Sequence, residues 1–264
     1  MKILNFLFSR SKQEQDKPIR DKLKTRKDFE RVLAEDLDIM ETTKARMDTA
    51  KNINLYMYRS LSYSYILILQ SKYSVDAKID ELRDIYIKSM HYFLQAFNKR
   101  NPIYADILNY VSLGVLLNIP DNNFRQLIDY VKQMDKQAKP SGWTPDLLLW
   151  FMLNSRMKEQ EKQKYAETLA YPRLYNGLYK VIQAPNAAAA KDALCKYLDR
   201  WYNLNSNAPW YNSHLKDNSY RGYWAWEVAA VAKIMHIDDS DLKNNQYYPY
   251  DMVHWADNET TAKE

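Results

Sequence analysis

Only four glycines occur in 264 residues, and apolar residues recur at spacings of three and four along most of the chain. Sheets spend glycine on the tight turns between strands, where positive φ is needed. A chain this poor in glycine has little with which to turn a hairpin. The 3–4 spacing is that of helix faces. The sequence therefore predicts an all-α fold without a sheet, built as two packed subdomains of antiparallel helices.

The expected helices follow from these faces. Leu33, Leu37, Met40 and Met47 fall on one side of a long charged helix over about residues 21–51. Residues 55–70 form a second, rich in tyrosine and poor in β-branched side chains. Leu82, Ile85, Tyr86, Phe93 and Phe97 stripe a third. Pro102 and Pro120 sit where prolines open helices, because a first-turn residue has no use for its N–H. They start helices reaching Leu117 and about Gln137. Further helices are expected at about 146–156, 158–170, 172–183, 187–202 and 219–236, with short ones near Leu242 and Tyr250. Residues 203–218 have no clean period and read as a loop.

The strongest break is Lys139 to Pro145, with two prolines and one glycine in seven residues. It divides the chain into a tail over 1–18, an N-terminal helical domain over 19–138 and a C-terminal helical domain over 139–264. No fixed-period repeat is present. At this length the chain can bury about 70–75% of its unfolded surface without cross-links. Cys195 is the only cysteine, so no intrachain disulfide can form, which fits a reducing compartment. No stretch reaches the roughly 18 apolar residues of a membrane span. The apolar run Ile3 to Phe8 is shorter than a signal-peptide core and lacks a small-residue cleavage site. These features lead us to expect a cytoplasmic protein.

The net charge of +5 is unevenly placed. Residues 1–35 carry +4, from ten Lys/Arg and six Asp/Glu. Residues 220–264 carry −4, from four and eight. The basic run Lys17 to Arg31 is interleaved with Asp21, Asp28 and Glu30, which favours local i,i+4 pairing over a nucleic-acid face.

Two C-terminal stretches hold most of the unusual wording. Gly222, Tyr223, Trp224, Trp226 and Glu227 open an alanine-rich helix that is apolar nearly all round, and such a helix is buried. In that setting Glu227 needs a partner, either a tyrosine hydroxyl or an arginine. Beyond it, Asp238, Asp239 and Asp241 crowd one turn. They suit a helix N-terminus as well as a basic partner. Tyr247, Tyr248 and Tyr250 with Asp251 then form a tyrosine run of the kind that serves both interfaces and self-docking segments.

Catalytic signatures are missing. There is no His-Glu-x-x-His, cysteine pair, nucleophile elbow, phosphate loop or dinucleotide fingerprint. No metal or cofactor is expected. Two alternatives stay open on the residues alone: a helical scaffold for another protein, and a hydrolase built on Glu227, Asp251 and His254.

The stretch from Ser219 to Trp255, SYRGYWAWEVAAVAKIMHIDDSDLKNNQYYPYDMVHW, resembles the C-terminal signature of the PoNi-type immunity proteins. Ile19 to Phe29, IRDKLKTRKDF, is similar to the opening of that family's N-terminal domain, and the two stand in the family's order. The resemblance implies a non-enzymatic cytoplasmic antitoxin for interbacterial competition, of the kind fought through type VI secretion. Its partner would be a cognate PoNe-type DNase toxin, bound directly, with no nucleic acid or membrane as ligand. Inhibition would come from occluding the toxin's active site or DNA groove. On this reading Asp238, Asp239, Asp241, Tyr247, Tyr248, Tyr250 and Asp251 are the candidate contacts. Gly222, Tyr223, Trp224, Trp226 and Glu227 are the structural signature.

Overall fold

The computed structural model describes residues 18–96, 103–136, 143–216 and 218–256. Among these residues it contains ten α-helices, three short 3-10 turns and no strand. The expected tail and the expected boundary at 138/139 lie outside the described residues, apart from Pro18. The backbone forms two compact units. Among the described residues, one comprises 18–96 with 212–216 and 218–223, and the other 103–136, 143–211 and 224–256.

In the first unit, Thr25 and Asp28 cap α1 (Arg26–Thr49) reciprocally, so two orphan N–H groups are satisfied at the helix start. Asn54 accepts from the Met57 N–H and starts α2 (Leu55–Ser74). A four-residue link leads to α3 (Ile79–Ala96). The short connections fold α1 and α3 back against α2, and the helices close on one core of Leu33, Met40, Leu61, Tyr65 and Ile68. Between α2 and α3, Ser89 donates to the Ser62 carbonyl at 2.7 Å.

Residues 218–223 complete this unit. The Tyr220 hydroxyl donates to Asp21, and its ring lies 5.7 Å from that of Phe29. Arg221 forks onto the buried Asp36 at 2.8 and 2.9 Å. Gly222 takes φ 109°, where a side chain would be strained. The Tyr223 hydroxyl accepts from the His214 backbone N–H at 3.0 Å. These contacts correct the expected helix over 219–236. The helix begins only at Trp226, because residues 219–225 hold their backbone in non-helical bonds and at a positive φ. Gly222, Tyr223 and Trp224 accordingly precede the helix they were expected to open.

The second unit runs through α4 (Tyr104–Leu116), α5 (Asp121–Lys136), α6 (Leu147–Asn154), α7 (Pro172–Ile182), α8 (Ala187–Leu204), α9 (Trp226–Met235) and α10 (Tyr250–His254). Helix α9 is its hub and packs against α4, α6, α7, α8 and α10. Val228, Ala229, Ala230 and Val231 have no exposed surface, and their small side chains let neighbours approach on every side.

The helix expected over 158–170 does not form. A single 3-10 turn spans Glu159–Glu161, and the rest runs irregularly. Side chains outcompete the helical ladder here. Asn154 exchanges two bonds with the Gln163 backbone, at 2.8 and 2.9 Å. The Ala170 N–H goes to Asp146, and Tyr165 reaches Asp135. Asp146 is fully buried and also accepts from the Leu149 N–H and the Tyr104 hydroxyl, each at 2.8 Å. Asp135 gathers both indole N–H groups of Trp143 and Trp150, again at 2.8 Å.

Candidate functional site

The acidic turn splits its three carboxylates. Asp238 accepts from the Ser240 N–H at 3.1 Å, and Ser240–Leu242 wind into a 3-10 turn. That geometry turns Asp238 and Asp241 outward, where both close on the Lys191 ammonium of α8 at 2.8 Å. They remain 67% and 71% exposed. The Lys191 hydrogen bond holds the Asp238 carboxyl well below its usual range. One cation thus offsets half of this local negative charge.

Asp239 points the other way and is 2% exposed. It accepts from the Tyr248 hydroxyl and from His254 Nε2, each at 2.7 Å. Tyr248 is itself buried. This corrects the expectation that both residues belong to a contact surface. Their polar atoms face each other and His254, so they pin the C-terminal segment to the acidic turn.

The remaining candidates reach the surface. Asp251 is exposed on α10, and Tyr250 is half-buried with its ring 4.4 Å from that of His254. Tyr247 is half-buried and lies parallel to Tyr202, 5.3 Å away with 7° between the rings. It also meets Trp201, while its carbonyl accepts from the Ala225 N–H at 2.9 Å. Trp201 stacks on Trp210, and Tyr202 on Tyr211 at 4.5 Å. The sequence reading missed Tyr202, Trp210 and Tyr211 as possible site residues. Most of them fall in a stretch without a period, and only the local density of aromatic residues marked it.

Glu227 finds a partner of neither expected type. The Trp201 indole N–H donates to its Oε1 at 2.6 Å. Desolvation dominates that contact and raises the Glu227 carboxyl from its ordinary 4.5 to about 7. The folded protein therefore keeps a proton that the unfolded chain has already lost between about pH 4.5 and 7, so stability falls as pH rises through that window. Replacing Glu227 by Gln should remove this slope, so that the variant's stability relative to wild type is about 1–3 kcal/mol greater at pH 8 than at pH 4.5. Urea unfolding of both proteins at the two pH values is the measurement. Equal pH slopes would place the carboxylate in water.

The residues of the hydrolase alternative are drawn to separate partners: Glu227 to Trp201, His254 to Asp239. The described residues include two depressions away from these groups. One, of about 270 Å³, lies between α1 and α2 and is lined by Asp38, Ile39, Arg46 and Tyr56 among others. The second, of about 170 Å³, lies beside Asp121, Phe124 and Arg156. Neither is lined by Glu227, Asp251 or His254. Among the described residues, no three His, Cys, Asp or Glu side chains gather as metal ligands, and no helix is long and apolar enough to cross a membrane.

Two family models match the chain in succession. Residues 11–129 match that of the PoNe immunity protein (PoNi), N-terminal, and residues 144–252 that of the PoNe immunity proteins (PoNi), C-terminal. No curated protein matches. The crystal structure of protein PA2201 from Pseudomonas aeruginosa has a similar fold, with a TM-score of 0.72 over 97% of this chain and 95% of that one. The two share 17% sequence identity.

Proposed function

We propose that this chain, which belongs to the PoNi family of PoNe immunity proteins, protects its bearer by binding a cognate DNase toxin and covering the toxin's active site or DNA groove. The match of both halves to the family's two domains, in order, carries this reading. Inhibition by occlusion needs no chemistry from the antitoxin, only a complementary surface. A groove that binds the phosphate backbone is basic, so exposed carboxylates suit one edge of that surface. Asp238, Asp241 and Asp251 are exposed, and Tyr247 and Tyr250 lie beside them along the chain with part of each ring open. The whole chain is basic, so imitation of DNA by overall charge plays no part.

The test is a pair of charge reversals. Asp238→Lys with Asp241→Lys should slow association with a cognate PoNe-type toxin by roughly three- to tenfold at 0.05 M salt. The difference should shrink at 0.5 M, where the screening length is only a few ångströms. Surface ion pairs contribute little to folding, so the melting temperature should stay near wild type. Association rates equal to wild type at low salt would remove the acidic turn from the interface. Failure of the wild type to bind or to protect would remove the toxin reading itself.

A further inference from the structure

The second unit carries a surface whose composition differs from the rest of the chain. Charged residues make up 27% of the sequence, yet residues 201–211 and 244–250 contain none. The two stretches are WYNLNSNAPWY and NNQYYPY. The fold brings them together: Tyr247 lies flat against Tyr202, which in turn meets Tyr211 and Trp210. These four residues are half-buried, and each has another of the four rings against it. Asn203, Ser206 and Asn207, in the first of the two stretches, are exposed.

Each part of this arrangement has a physical use. Half-buried rings held by stacking have already lost most of their rotamer freedom, so they bring large contact area at small entropic cost. Asn and Ser side chains adapt their hydrogen bonds to whatever polar groups they meet. This is the chemistry of binding loops that recognise protein surfaces through aromatic anchors and adjustable amides. Its charge selects the partner. An uncharged face gives nothing to a nucleic-acid backbone or an anionic membrane, each of which binds through Lys and Arg. It also avoids the desolvation penalty of burying an ion against an uncharged protein patch.

From this composition and these ring contacts we infer that Tyr202, Trp210, Tyr211 and Tyr247 form the energetic centre of the toxin interface and seat an uncharged, partly apolar patch of the toxin. The inference rests on the toxin-binding reading and divides the interface into two roles. The exposed carboxylates of the acidic turn steer encounter and act on the association rate. The aromatic platform holds the complex and acts on dissociation.

The experiment measures binding of a catalytically inactivated cognate PoNe-type toxin, by surface plasmon resonance at 0.15 and 0.5 M salt. Trp210→Ala should weaken binding about thirtyfold or more, mainly through faster dissociation and equally at both salt concentrations. Because Trp210 also stacks on Trp201, a second variant tests the same surface without touching a ring. Ser206→Arg with Asn207→Arg changes only exposed side chains and should weaken binding tenfold or more while leaving the melting temperature unchanged. A folded double-arginine variant that binds and dissociates like wild type would overturn the inference and leave the toxin reading standing. So would a wild-type dimer in light scattering that the double variant dissolves, since a second copy would then occupy the platform. A wild type that does not bind the toxin would end both.

Discussion

Truncating Trp226 to alanine should destabilise the protein by about 3–5 kcal/mol, the range for emptying a large aromatic site in a core. The residue is 3% exposed and opens α9, the helix on which the second unit is assembled. Its neighbours along that helix are fully buried alanines and valines, which cannot extend into the space an indole leaves. The cavity would stay largely open, so the loss should sit at the upper end for core substitutions. Trp226→Phe retains most of the volume and should cost markedly less. For a chain of this size the alanine variant should melt on the order of 10 °C lower. An unchanged denaturation midpoint in urea would refute the core placement.

Removing Arg221 should cost a similar amount by a different mechanism. Asp36 is 2% exposed, and burial pushes its carboxyl up in pKa against the opposing hydrogen bonds and charge of Arg221. Arg221→Ala strands that carboxylate, and breaking one partner of a buried pair costs about 3–5 kcal/mol. The stranded group can escape by taking up a proton, so the loss should be larger at pH 7.5 than at pH 4.5. Replacing both members together, Asp36→Leu with Arg221→Met, removes the charge along with its partner. The double variant should recover most of the stability, giving a coupling energy above about 1 kcal/mol in a double-mutant cycle. If the double variant is as unstable as the sum of the single ones, the ion pair contributes nothing specific to this unit.

The parts of the fold legible in the sequence were those governed by local spacing. The faces of α1 and α3 and the buried, alanine-rich α9 follow from apolar periodicity, and the helices expected after Pro102 and Pro120 from the preference of proline for a first turn. The sequence reading failed where a distant side chain captured the backbone. Residues 158–170 have helical composition, but Asn154, Asp146 and Asp135 supply partners that only the folded unit brings within reach. Residues 219–225 look like a helix start, but Gly222 and bonds to residues far along the chain hold them otherwise. At the candidate site the same limit applied. Asp238, Asp239 and Asp241 are chemically identical and nearly adjacent, yet one is buried under a tyrosine and a histidine while two meet Lys191 in solvent.

By itself the sequence determined the class of fold and the family, because scarcity of glycine, helical spacing and two ordered signatures are properties of the chain as written. Tertiary structure alone decided which polar groups are spent inside and which are left to meet a partner. That choice depends on what lies opposite each side chain. The indole of Trp201 reaches Glu227 across 26 residues, and the Tyr220 hydroxyl reaches Asp21 across 199. No local pattern encodes such pairings, since their energy exists only once both ends are withdrawn from water.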